Sequence, residues 1–155
     1  MIAIEKSKSA DTRSAETAVD FETLKASSLQ HIGDVQQAMI WMSEKLNEIS
    51  KNHDFTKIQF AKEFHDDFKS TQFWGKDFKT IPWYQRHITE ERHHLDARVP
   101  DDVNLFDVLE RIADIVMAGM ARTGKVYDDK LPPELFEKAY KNTIEMLKKQ
   151  VEVKQ

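Results

Sequence analysis

The sequence predicts an all-α fold, a single-domain bundle of about five helices. Three observations predict it. Apolar residues recur at three- and four-residue steps over long stretches, and no stretch keeps the two-residue alternation of a half-buried strand. Capping and stopping residues fall where the periodic stretches begin and end. With 155 residues, 40% of them hydrophobic, nine Phe and three Trp, the chain is large enough for a real core, and no internal repeat divides it.

Residues 1–19 are rich in Ser, Ala, Thr and charge and read as a flexible arm, with the helical domain over 20–150. From Phe21 a stripe of Leu24, Ser28, His31, Val35, Met39, Met42, Leu46 and Ile49 defines one long helix, with Gly33 as a weak point where it can kink. Asn52 and His53 break that pattern. Thr56 then caps a second helix to about Ser70, with Lys57, Ala61, Phe64 and Phe68 on one face. Residues 71–81 hold Gly75 and read as a loop. The aromatic stretch at 71–84 (Phe73, Trp74, Phe78, Trp83, Tyr84) reads as a cover for the core, with base stacking as the alternative.

Pro82 starts a short helix to about His93, and Pro100 sits in a loop over 95–103. Asn104 caps the next helix, whose core stripe is Leu105, Leu109, Ile112, Val116 and Met120 and whose stop is Gly124. Pro132 and Pro133 begin a last helix carrying Leu135, Phe136, Ala139, Tyr140, Ile144 and Leu147, which fades into a charged tail.

Composition narrows the function. A net charge of −4 leaves no broad basic surface, which argues against general nucleic-acid binding. No apolar run approaches the length of a membrane span, and the first twenty residues lack the apolar core of a secretory signal. Zero cysteine removes disulfides and thiolate metal sites and fits a reducing compartment, so a cytoplasmic address is expected. A homo-oligomer is compatible with all of this.

The candidate chemistry lies in histidines and carboxylates. His31 interrupts an apolar stripe, and burying an imidazole costs free energy unless both nitrogens find partners, a backbone carbonyl or a metal among them. His53-Asp54 is either a capping turn or a ligand pair. Neighbouring residues there reach one ion only if the backbone bends. Asp114 ends an acidic row with Asp107 and Glu110 that would be solvated, yet the run 115–121 after it carries no charge. His87, His93 and His94 put three imidazoles within eight positions, beside Glu90, Glu91 and Arg92. Imidazoles and carboxylates gathered from separate helices are what a divalent transition-metal site requires.

The order His31, His53-Asp54, Asp114 over three helices resembles the HD-domain superfamily of metal-dependent phosphohydrolases. The run H-D-F-T-K resembles that family's H-D-x-x-K variants, and V-L-E-R-I-A-D-I-V-M-A-G-M-A-R (108–122) looks like the helix carrying its last aspartate. R-H-H-L-D-A-R-V-P is similar to the histidine pair of the HD-GYP and cyclic-nucleotide phosphodiesterase branches. The Gly-Tyr-Pro signature is absent, so no cyclic-dinucleotide specificity follows. The resemblance covers about residues 28–122 and extends to small HD-like proteins, some phage-encoded, which offer no substrate.

The resemblance implies that His31, His53, Asp54 and Asp114 hold a divalent ion and that Lys57 faces the phosphate of a nucleotide or similar small phosphorylated molecule. It implies that His93 and His94, with His87 nearby, hold a second ion bridged by Asp54, or that His93 or His94 (His94 as the catalytic choice) protonates the leaving oxygen. Arg92 and Arg122 are further candidates for phosphate contact. Mixed nitrogen and oxygen ligands suit Mn, Fe, Co, Ni or Zn, one ion or two. A metal-containing nucleotide-binding protein without catalysis is the alternative.

Overall fold

The architecture comes from a computed structural model, which describes residues 1–6 and 19–154, with the backbone alone at 73–74. Residues 7–18 of the expected arm lie outside the described residues. The fold is all-α as expected. Five helices of nine residues or more are present among the described residues: α1 (Phe21–Asn52), α3 (Ala61–Trp74), α4 (Pro82–Glu90), α5 (Leu105–Thr123) and α6 (Pro133–Lys148). A five-residue helix, α2 (Phe55–Gln59), precedes α3. Among the described residues, no helix is long and apolar enough to cross a membrane.

The chain divides into two compact units, Met1–Leu46 with Ile144–Gln155, and Asn47–Thr143. In the first, β1 (Ile2–Glu5) pairs in parallel with β2 (Val151–Lys154), Ile2 opposite Val151. This corrects the expectation of no strands and of a charged tail after the last helix. Each strand is only four residues long, too short for alternation to register. Ile2 is buried, and Gln30 donates to the Glu5 carbonyl at 2.7 Å. Asp20 starts α1 by accepting from the Thr23 peptide N–H at 2.9 Å and from its hydroxyl at 2.7 Å. The helix runs through Gly33 without interruption.

The second unit carries the core of Leu95, Val103, Val108, Leu135 and Ala139, with Leu105 and Leu131 packed against it. At about 25 cal/mol per Å² of apolar surface removed from water, each buried Val or Leu side chain contributes about 1.5–3 kcal/mol. Helix α5 is fixed at both ends by local chemistry. Asn104 and Asp107 form a reciprocal capping box, and Gly124 closes the helix in the left-handed region at φ 71°. Thr143 on α6 accepts the Leu105 peptide N–H at 2.8 Å, tying α6 to the start of α5. Gly119 lets the turn after α5 come close, since a Cβ there would lie 2.5 Å from the Lys125 carbonyl oxygen.

Three boundaries differ from the sequence expectation. The second helix bends at Phe60 (φ −113°, ψ 30°), although Phe60 and Phe64 still donate to the carbonyls four residues back. No glycine or proline marks that bend. Helix α3 continues to Trp74 and ends at Gly75 (φ 64°), so the expected loop begins later and contains a 3-10 turn at Phe78–Thr80. Helix α4 stops at Glu90, which leaves His93 and His94 in the turn that follows.

Candidate metal centre

Four short segments of the second unit meet at one point. The first is the turn between α1 and α2. Asp54 is the one non-glycine residue at positive φ among the described residues (φ 56°, ψ 29°). Left-handed backbone costs an ordinary residue about 1–2 kcal/mol, and the short polar side chain of Asp lowers that cost. The bend turns His53 and Asp54 toward each other, with His53 Nε2 3.4 Å from Asp54 Oδ2.

The second segment is α4. Trp83 lies flat between Phe64 (3.7 Å, 18°) and His87 (5.0 Å, 9°), which holds the His87 ring in one plane. Trp83 itself is buried, as expected of a core cover. The third segment is the turn after α4, where Arg111 donates to the His93 carbonyl at 3.2 Å and forms ion pairs with Asp96 and Asp129. The fourth is α5, whose Glu110 and Asp114 are one helical turn apart on a single face.

Asp54 stands at the centre. Its Oδ1 lies 3.5 Å from His87 Nε2 and 3.6 Å from His93 Nε2, while Oδ2 faces His53 and forms an ion pair with Lys57. His53 Nε2 also lies 3.8 Å from Asp114. Two sets of potential ligands result, each with its donor atoms within 4.8 Å of one another: His53, Asp54 and His93, and Asp54, His87 and His94. Asp54 belongs to both.

Electrostatics sort the histidines. Burial, and after it the neighbouring His94, pushes His87 down to about 4. Burial and then His93 do the same to His94, also to about 4. At neutral pH both rings are therefore uncharged, the form that binds metal. For His93, burial opposes the charged form, but the carboxylates of Glu110, Asp54 and Asp114 outweigh it and raise its pKa above the usual histidine value. Burial likewise works against the Asp54 carboxylate, yet Lys57 and the imidazoles hold its pKa below the ordinary carboxylate range.

No family model, curated protein or solved structure matches the chain. The fit to a metal therefore stands on the donor set. Asp54 Oδ1 and both nitrogens of His93 are buried without a hydrogen-bond partner, and His93 is only 1% exposed. A buried polar atom left unpaired costs about 1–3 kcal/mol, so three in one cluster mark a place where a partner belongs. Imidazoles and a carboxylate facing one another fit a divalent transition ion.

The sequence-predicted residues divide as follows. His53, Asp54, Lys57, His87, His93, His94 and Asp114 come together. His31 is exposed on α1, in the other unit, and belongs to neither ligand set found among the described residues. Arg92 commits its guanidinium to Asp107, with two bonds of 2.8 Å, and to Asp102. Arg122 is exposed on the last turn of α5, about 12 Å along the helix from Asp114 at 1.5 Å per residue.

Three residues of the centre, Glu110, Glu91 and Thr56, were given no site role by the sequence reading. Glu110 Oε1 lies 2.9 Å from His53 Nδ1 and 3.2 Å from His93 Nδ1, the second contact poorly aligned for a hydrogen bond. Glu91 Oε1 accepts the Thr56 peptide N–H at 2.9 Å and the Thr56 hydroxyl at 2.6 Å. For Glu110 the signal was the uncharged run after Asp114, which already implied that this acidic face is covered. Thr56 and Glu91 look like ordinary cap and surface residues.

Proposed function

We propose that this chain is a metal-dependent phosphohydrolase acting on a nucleotide or related small phosphoester. The observation that carries the reading is the Asp54 carboxylate, set between two pairs of imidazoles with one oxygen buried and unpartnered. His53, Asp54 and His93, with Asp114 beside them, would hold one ion; Asp54, His87 and His94 would hold a second. When bound, such ions supply Lewis acidity toward a phosphoryl oxygen and a water acidified toward neutral pH. The ion is Mn, Fe, Co, Ni or Zn on the ligand chemistry.

The remaining work falls to the chain. Lys57, with about a third of its side chain exposed, reaches Asp54 on one side and solvent on the other, and its ammonium supports charge on the phosphoryl oxygens. His94, neutral at pH 7, serves as a ligand there rather than as the acid that protonates the leaving oxygen. Arg92 positions the turn after α4 through Asp107 instead of meeting substrate.

One observation favours the alternative, a metal-containing nucleotide-binding protein without catalysis. Lys57, Arg92 and Arg111 are all paired with carboxylates, and the cleft beside Glu110 is lined by Glu48, Glu90 and Glu91 as well as Arg92. The test is an assay of purified protein with Mn²⁺ or Co²⁺ against nucleoside mono- and triphosphates and cyclic nucleotides. Phosphate release that disappears in Asp54→Asn is expected. Metal and nucleotide binding without turnover on the whole panel would leave the binding protein.

A further inference from the structure

Thr56 is wholly buried, and its hydroxyl has a single hydrogen to give. Glu91 Oε1, itself buried, already accepts the Thr56 peptide N–H, so the hydroxyl at 2.6 Å donates to the same carboxylate. With that hydrogen committed, Thr56 Oγ1 can only accept from His87 Nδ1, 2.7 Å away. His87 therefore carries its proton on Nδ1, and its Nε2 bears a bare lone pair. That lone pair accepts from His94 Nε2–H at 2.9 Å and lies 3.5 Å from Asp54 Oδ1. A cation that displaced the shared proton would meet His87 Nε2, His94 and Asp54 Oδ1 together.

Glu110 does the equivalent for the other ligand set. It takes the proton side of His53 at Nδ1, which leaves Nε2 bare toward Asp54 and Asp114. The two devices share no residue. One runs from Glu91 through Thr56 to His87, the other from Glu110 to His53. Carboxylates behind ligating histidines fix the tautomer and the ring orientation in this way.

We propose that Thr56 and Glu91 are positioning residues for a second cation site at Asp54, His87 and His94, and that Glu110 separately positions the first, so that either site can be weakened alone. The inference rests on the metal reading above. The test uses Mn²⁺ as probe and compares wild type, Thr56→Val, Thr56→Ser, Glu110→Gln and Glu91→Gln.

Wild type is expected to bind two Mn²⁺ per chain by calorimetry and elemental analysis. Thr56→Val is expected to weaken one site about 10- to 100-fold and leave the other unchanged, the range seen when such partners are removed. Thr56→Ser restores it, and Glu110→Gln weakens the opposite site. In metal-free protein, ¹⁵N imidazole spectra are expected to show His87 protonated on Nδ1 in wild type and not in Thr56→Val, a change that loss of packing would not produce. If Thr56→Val does not fold, Glu91→Gln carries the same expectation. Metal bound at two sites with no change in Thr56→Val, or equal weakening of both sites without rescue by serine, would overturn the inference and leave the metal reading intact. Wild type that binds no Mn²⁺ would overturn the metal reading and this inference with it.

Discussion

Replacing Asp54 by asparagine separates the two things this residue does. The left-handed backbone at φ 56° is open to asparagine, so the exchange removes charge without the 1–2 kcal/mol, roughly, that alanine would add in strain. In metal-free protein the loss is the ion pair with Lys57. That pair is partly exposed, at 34% for the lysine and 15% for the aspartate, and is worth about 1 kcal/mol at most. For a chain of 155 residues this lowers the melting temperature by about 2–4 °C. With Mn²⁺ at about a thousand times its dissociation constant, wild type gains about 4 kcal/mol for each site filled. Asp54→Asn removes a ligand shared by both sites and is expected to lose most of that gain. The measurement is scanning calorimetry with and without Mn²⁺, beside a bound-metal count. A variant that keeps the wild-type stabilisation by Mn²⁺ would sink the assignment of Asp54 as the shared ligand.

Three other outcomes are expected. His31→Ala leaves bound Mn²⁺ and its stabilising effect unchanged, since His31 is exposed and outside both ligand sets; a drop in metal content would restore it as a ligand. Gly119→Ala destabilises by about 1–3 kcal/mol in urea unfolding, because its Cβ meets the backbone of Lys125 and Tyr127 at 2.5 and 2.7 Å and a backbone contact cannot swing aside. Arg111→Met leaves Asp129 and the largely exposed Asp96 without their partner and costs about 1–3 kcal/mol. The Arg111 guanidinium holds Asp129 below its usual pKa, and it outweighs burial to do so for Asp96. Their contribution is therefore present above the unfolded value of 3.8 and fades as pH falls through the lower folded values. Acid titration of wild type should show that loss, and Arg111→Met should lack it.

Where the determinants are local, the sequence was readable. Helix α5 begins and ends where Asn104 and Gly124 say, because a capping box and a left-handed glycine act within four residues. Pro82 and Pro133 mark helix starts for the same reason. The strand pair was not readable, since β1 and β2 lie at opposite ends of the chain and four residues of each carry no pattern until they meet. The bend at Phe60 has no glycine or proline to mark it, and nearby Thr56 is held by a residue thirty-five positions away, Glu91.

The centre divides along the same line. Three crowded histidines and an H-D pair are visible by residue type alone. The residues that aim them are common acids and a threonine, and only their placement sets them apart. Asp107 and Glu110 looked like a wet acidic row. One is buried in the cap and paired with Arg92, and the other is turned onto His53. The stripe of α1 that carries His31 is apolar in sequence, yet no residue of that helix is buried.

The bond between Lys57 and Asp54 has a consequence for assembly. The chain carries its own monovalent stand-in for an ion, tethered one helical turn from the carboxylate it neutralises. On the proposed metal reading, folding would not have to wait for metal, and loading would exchange one positive charge for another and free the lysine. Chelator-treated protein should accordingly keep a cooperative melting transition, and refilling it should make the amine at position 57 more reactive toward acylating reagents.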